Sequence, residues 1–243
     1  MNHCIEKIIV KYSEMDQNFA LKPYSLLNFL QDIASKSAEE LGFGYSFISK
    51  RNLAWFLIKY RMEFVDYPVN IMDLTLKTTP RGFNRLFAYR DFELFNNEKL
   101  IGKVFSVWSI VDIESRTPML VSNVFAENGL MKPYEKSEDD LSFVKIKPIS
   151  NPQFKKEFQV RYNDLDVNQH ANNGNYIVWA FEPLEFEFKA NRKIKTLDVV
   201  FKKESKFGDK IISEVEFLDD KTTVHRLRNS NDEDLCFFQV EWV

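Results

Sequence analysis

Asp166, Asn168 and His170 recur at every second position in the run Arg161-Tyr162-Asn163-Asp164-Leu165-Asp166-Val167-Asn168-Gln169-His170. If that run is extended, residues two apart point the same way, so the three polar heads share one face of a pocket wall. Asn172 and Asn173 follow at once and are good helix N-caps, which puts His170 just ahead of a helix start. Free N–H groups and the positive dipole end at such a place disfavour imidazolium and offer donors to an oxyanion. A neutral histidine that hydrogen-bonds a carbonyl or orients a water follows, with Asn172 and Asn173 at the substrate. The same residue types also serve as turn and cap formers. His3, in a terminus, and His225, beside Arg226 and Arg228, have no such company and read as surface residues.

The elements that must position this set can be read from patterning. Ile5–Tyr12, Leu53–Val65, Leu74–Thr79, Leu86–Phe95 and Ile101–Ile113 are β-branched, aromatic and aliphatic, which predicts strands, and Phe95 to Lys99 reads as a hairpin turn. Leu26, Leu27, Leu30, Ile33, Ala34, Ala38 and Leu41 recur at spacings of three and four and predict a helix between Pro23 and Gly42. One helix followed by four strands is an α+β layout, with the helix lying on a sheet. Acidic residues and Pro133, Pro148 and Pro152 mark 132–152 as a linker, after which the pattern restarts. Strands are expected at Glu157–Tyr162, Lys195–Glu204, Lys210–Leu218, Thr223–Arg228 and Leu235–Trp242, and a helix at Asn173–Phe188.

The restart extends to letters. Tyr12-Ser13-Glu14-Met15-Asp16-Gln17-Asn18 lines up with the run from Tyr162 to Asn168 at a shift of 150 residues, each copy leaving a strand ahead of a helix. The copies then diverge: Phe19, Ala20 and Leu21 in the first stand where the second has Gln169, His170 and Ala171. Only the second copy carries a polar pocket. The first is free for another use, and Leu27, Leu30 and Trp55 could line an apolar pocket there, although such residues also make ordinary core.

Composition excludes several classes. The chain of 243 residues is 44% hydrophobic with a net charge of −3, which argues against disorder. Cys4 and Cys236 at opposite ends make no metal or disulfide framework. The longest run without Asp, Glu, Lys or Arg, 167–181, holds four Asn and no membrane span. With no recognisable targeting segment, a cytoplasmic location is expected. Between 189 and 210 eight basic residues stand against three acidic ones, and Lys202, Lys203 and Lys206 within that stretch suit docking of an acidic partner. A pI near 5.8 and the lack of a recognisable motif argue against nucleic acid.

The stretch from Arg161 to Trp179 resembles the signature of acyl-acyl carrier protein thioesterases of bacteria and plant plastids. Tyr12 to Asp16, Gln31-Asp32-Ile33-Ala34 with Leu41-Gly42, Arg90-Asp91-Phe92 and Trp108 extend the resemblance over most of the chain. It implies two fused hotdog folds, each a long central helix wrapped by an antiparallel sheet, here an N-terminal unit 1–131 holding the acyl chain and a catalytic unit 153–243. It implies hydrolysis of fatty acyl thioesters on acyl carrier protein, with no metal or diffusible cofactor, and a homodimer is compatible with it. By the same resemblance the catalytic set is Asp166, Asn168 and His170 with Glu204 and Ser205. The family often has Cys where Ser205 stands, so a cysteine nucleophile is not expected. Glu204 would then act as general base on water, with His170 orienting the water or the carboxylate. Asn168 and helix N–H groups would polarise the carbonyl, while Asp166 holds His170 or itself attacks. The competing readings are an acyl-coenzyme A thioesterase and a non-catalytic acyl-binding or regulatory protein of the same fold.

Overall fold

The computed structural model describes residues 3–126 and 129–243. In chain order it runs β1 (Cys4–Ile9), α1 (Pro23–Glu40), α2 (Tyr45–Ile48), β2 (Leu53–Phe64), β3 (Asp73–Phe83), β4 (Ala88–Asn96), β5 (Lys99–Asp112), β6 (Pro118–Met119) and α3 (Val121–Phe125). It continues with β7 (Phe154–Gln159), α4 (Asn173–Phe181), α5 (Phe186–Ala190), β8 (Ile194–Phe201), β9 (Lys210–Phe217), β10 (Thr222–Asn229) and β11 (Asp234–Trp242).

All strands join one antiparallel sheet in the order β1-β3-β4-β5-β2-β8-β11-β10-β9-β7, with the short β6 paired to β5. Read from its centre, the β2–β8 pair, the sheet repeats the same sequence of elements outward on both sides. That is the topology a duplication produces. The central seam is built by Lys59 to Glu63 of β2 against Thr196 to Val200 of β8, and Arg61 pairs there with Asp198 and with Glu63.

One face of this sheet takes the helices. Leu26, Leu27, Leu30, Ile33, Ala34 and Ala38 of α1 are buried, so the apolar stripe faces the sheet, and Gly42 beyond the helix takes φ +81°, a left-handed conformation that glycine adopts freely. The helix predicted over 173–188 is shorter, because Pro183 cannot continue it; α4 stops at Phe181 and the chain restarts as α5. The helices α1 and α4 cross at Gly174. A Cβ there would lie 2.8 Å from the Tyr24 ring and 3.0 Å from Asn28 Oδ1, so glycine is what leaves room for these two α1 side chains against α4. Gly174→Val should therefore lower stability by roughly 1–3 kcal/mol through overpacking, read from urea denaturation midpoints.

The segment 132–152 is a strap on the opposite face of the sheet. Phe83 donates its N–H to Lys132 O and accepts from Tyr134 N–H, Tyr134 stacks on Tyr89 with ring centroids 4.1 Å apart, and Lys59 sits 4.0 Å over the Phe143 ring. Asp140 binds Arg81 and the Tyr134 hydroxyl. Its acidic residues are thus partly spent on packing.

His225 corrects the surface assignment. Its strand position faces α4 and the side chain is fully buried, Nδ1 donating to Ala180 O at 2.7 Å and Nε2 meeting Thr223 Oγ1 at 2.8 Å, which in turn accepts from Trp242. A carbonyl can only accept, so the ring is the neutral Nδ1–H tautomer. Burial pulls its pKa down to about 4 from the usual 6.5. The unfolded chain therefore takes up the proton first, and stability is lost as pH falls from 6.5 towards 4. The expected loss is about 3 kcal/mol, and His225→Gln should flatten that part of a stability-against-pH profile.

Candidate active site

The site forms where β7 gives way to α4. Arg161 N–H and its guanidinium bind Asp164, closing a single turn at Tyr162–Asp164, and Leu165 bridges to Ala171. Between them the chain does not run extended. Asp166 N–H donates to His170 O at 2.7 Å, Gln169 takes φ +65°, and Asp166 Oδ1 accepts from Asn168 N–H at 2.8 Å and His170 N–H at 3.3 Å. The shared face expected for Asp166, Asn168 and His170 is replaced by a tight turn. Alternation fails here because a carboxylate two residues before an amide makes an Asx turn.

The first copy repeats this turn. Asp16 Oδ1 accepts from Asn18 and Ala20 N–H at 2.8 and 2.9 Å, Phe19 takes φ +56°, and Glu14 caps Lys11 as Asp164 caps Arg161. The scaffold is common and the decoration differs. Ala20 stands for His170. Leu21 N–H donates to Pro68 O as Ala171 N–H donates to Ser205 O, so Tyr67 stands for Glu204. Asn18 spends its amide on Ala190 O at 2.7 Å, whereas the exposed Asn168 side chain makes no hydrogen bond among the described residues.

His170 is 7% exposed and its Nε2 lies 3.2 Å from Glu204 Oε2. The backbone brings these residues together, since His170 bridges to Lys206 just past Glu204. A third residue, absent from the sequence reading, completes the cluster. Arg116, in the loop after β5 and at φ +58°, places Nη1 3.2 Å from Glu204 Oε2 and Nη2 3.4 Å from His170 Nε2. It comes from the other half of the chain. Nothing in its local sequence marked it, because its role arises from the β2–β8 seam, which sets the end of β5 beside the second copy.

The other expected site residues fall elsewhere. Ser205 is 1% exposed and its hydroxyl accepts from Tyr176 at 3.1 Å; among the described residues it makes no hydrogen bond to His170. Asn172 caps α4, its Oδ1 accepting from Gly174 N–H at 2.7 Å, and its carbonyl takes Asn175 N–H. Those two helix donors are occupied internally. Asn173 donates to Gln31 across the α1–α4 contact. Neither asparagine is thus placed as a free substrate ligand, because capping and helix packing claim both side chains. Lys202 and Lys203 pair with Asp234 and Glu233, so the basic stretch is partly neutralised, while Lys206 makes no ion pair among the described residues.

A narrow cleft of about 70 Å³, partly open to solvent, lies in the first half between α1 and the sheet. Trp55 lines it with Ala34, Phe43, Trp108 and Met131, its ring stacked on Phe125 and its Nε1 donating to Phe43 O. Leu27 and Leu30 do not line it. They are fully buried in the main core, where an apolar stripe at helical spacing belongs. Among the described residues no group of three His, Cys, Asp or Glu side chains could hold a metal, and no helix is long and apolar enough to cross a membrane.

Residues 2–128 match the model for the acyl-ACP thioesterase N-terminal domain and residues 147–243 that for the C-terminal domain. A chloroplastic oleoyl-acyl carrier protein thioesterase of Coriandrum sativum is 24% identical over 93% of this chain and 66% of its own length. A chloroplastic palmitoyl-acyl carrier protein thioesterase of Cuphea hookeriana is 25% identical over 77% of this chain and 51% of its own. The chain thus spans less than two thirds of the length of these relatives. Among solved structures, an acyl-ACP thioesterase from Bacteroides thetaiotaomicron superimposes with a TM-score of 0.88 at 22% identity, covering 99% of this chain and 98% of that one. The 12:0-ACP thioesterase from Umbellularia californica gives 0.87 at 17% identity, covering 99% and 97%. A mirrored sheet whose second copy alone carries the histidine and carboxylate, together with family models spanning both halves, places this chain in the acyl-ACP thioesterase family.

Proposed function

We propose that the protein hydrolyses the thioester between a fatty acyl chain and the phosphopantetheine arm of acyl carrier protein, releasing the free fatty acid and so ending chain elongation. The observation that carries this reading is the 3.2 Å contact between His170 and Glu204 in the second copy, where the first has Ala20 and Tyr67. The two halves are read as fused hotdog units, 1–131 and 153–243, joined by the strap 132–152. The first accommodates the acyl chain in the cleft at Trp55, and the second does the chemistry.

In the proposed reaction Glu204 takes a proton from water as the water oxygen attacks the thioester carbonyl carbon. His170 holds the water or the carboxylate, and the unspent amide of Asn168 donates to the carbonyl oxygen as it gains charge. The tetrahedral intermediate collapses by breaking the C–S bond, the sulfur leaving with the electron pair and taking up the proton that Glu204 holds. A thiol with a pKa of about 8.5 leaves with little help from an acid. Water is favoured over Ser205 as nucleophile because the serine is buried and hydrogen-bonded to Tyr176. Asp166 shapes the turn. Docking of the acidic carrier protein would use Lys206 with Lys202 and Lys203. A cytoplasmic setting suits the two free, buried cysteines.

Rates on one acyl chain carried by acyl carrier protein and by coenzyme A test the reading. Hydrolysis of the carrier-protein ester with at least tenfold higher kcat/KM is expected. Equal rates would assign the protein to coenzyme A esters. Acyl binding without turnover on either would make it an acyl-binding protein.

A further inference from the structure

We propose that the cleft under α1 takes acyl chains bearing an oxygen acceptor far from the thioester, and that Arg90 is the residue that selects them. The proposal rests on the acyl-pocket reading above and adds the chemical class of the chain.

Arg90 lies on β4 and lines the cleft, yet it is only 5% exposed. Its Nη1 donates to Thr78 Oγ1 at 3.0 Å, and this is the one hydrogen bond its guanidinium makes among the described residues. A guanidinium has five N–H donors, so those not bonded to Thr78 border the cleft with no protein acceptor. No carboxylate compensates it either. The adjacent Asp91 is on the opposite face of the strand, bound to Arg81. The nearby Tyr60 hydroxyl is itself buried without a hydrogen-bond partner. Burial lowers the Arg90 pKa to about 10, so the side chain remains a cation at neutral pH.

Such a group is costly in an apolar cleft. A chain that fills the cleft shuts water off from these donors, and a plain hydrocarbon lying against them gives back nothing. A hydroxyl, keto or carboxyl oxygen on the chain would supply the missing acceptor, and a carboxylate would also balance the charge.

The register says which part of the chain could reach it. Arg90 pairs with Ser106, whereas the loop carrying Arg116 begins after Asp112 on the same strand β5. Six residues of extended strand span roughly 20 Å. Arg90 therefore meets the distal part of a chain whose thioester lies at Glu204, not the carbons next to the carbonyl.

Binding is the decisive readout. Methyl esters of a saturated, an ω-hydroxy and an ω-carboxy fatty acid of equal length would be titrated against the protein, following quenching of Trp55 and Trp108 in the cleft. A methyl ester head leaves no second carboxylate to compete for Arg90. At least one oxygenated ester should bind tenfold or more tightly than the saturated one, and Arg90→Met should abolish that preference. The two oxygenated arms separate a neutral acceptor from a charged one. Tighter binding of the saturated ester by the wild type, or an unchanged preference in a folded Arg90→Met, would overturn the proposal. Should Arg90→Met not fold, the wild-type preference alone decides. Loss of hydrolysis on every carrier-protein ester, with the binding preference intact, would sink the hydrolase reading and leave this one standing.

Discussion

Glu204→Gln should lower acyl-acyl carrier protein hydrolysis by about 10²–10⁴-fold, the range for loss of a positioned general base, with the fold unchanged. The amide keeps the size of the carboxylate and can still meet His170, but it cannot accept a proton from water. Glu204 has 37% of its side chain exposed, so the substitution buries no new polar group. Ser205→Ala should have a much smaller effect on rate, because its hydroxyl already meets Tyr176 inside the protein. If Ser205→Ala lost as much activity as Glu204→Gln, the water mechanism would fall in favour of a serine nucleophile. Measured on one acyl-carrier-protein substrate, the pair of variants separates the two mechanisms without reference to chain length.

Arg116 explains why the site could be read only in part from the sequence. The duplication was legible because Tyr12, Asp16 and Asn18 recur as Tyr162, Asp166 and Asn168 at one constant shift, and both copies fold into the same Asx turn. His170 stood out because Ala20 replaces it. The strands of both halves were legible because their segments are rich in β-branched, aromatic and aliphatic residues, which suit a sheet that buries much of its surface. Arg116, however, is brought to Glu204 by the pairing of β2 with β8, a contact between segments more than a hundred residues apart that leaves no local pattern. The same holds for the strap. Acidic residues and prolines at 132–152 read as a linker, and only the sheet shows that Tyr134 and Asp140 have partners on Tyr89 and Arg81. His225 misled for a related reason: flanking arginines suggest a surface, but on a strand they belong to the other face.

Asp166 yields the second large effect, and here two substitutions should behave differently. Its Oδ1 holds the N–H groups of Asn168 and His170, and Gln169 between them sits in a conformation that a non-glycine residue adopts at some cost. Asp16 performs the same task in the first copy, which has neither the histidine nor the glutamate. A residue kept in both copies of the turn serves the turn first. Asp166→Asn retains an oxygen acceptor, so activity should stay within about tenfold of the wild type, since a neutral acceptor still replaces most of a charged one. Asp166→Ala removes the acceptor and frees the turn. Activity should then fall by about 10²-fold, because a shift of about 1 Å in His170 is enough to cost that much. A carboxylate that attacked the thioester itself would make the two variants equally inactive. Asp16→Ala supplies the control. It should lower the denaturation midpoint through the same loss of turn bonds while leaving kcat near the wild-type value, because the first copy holds no proton-transfer group for the turn to aim.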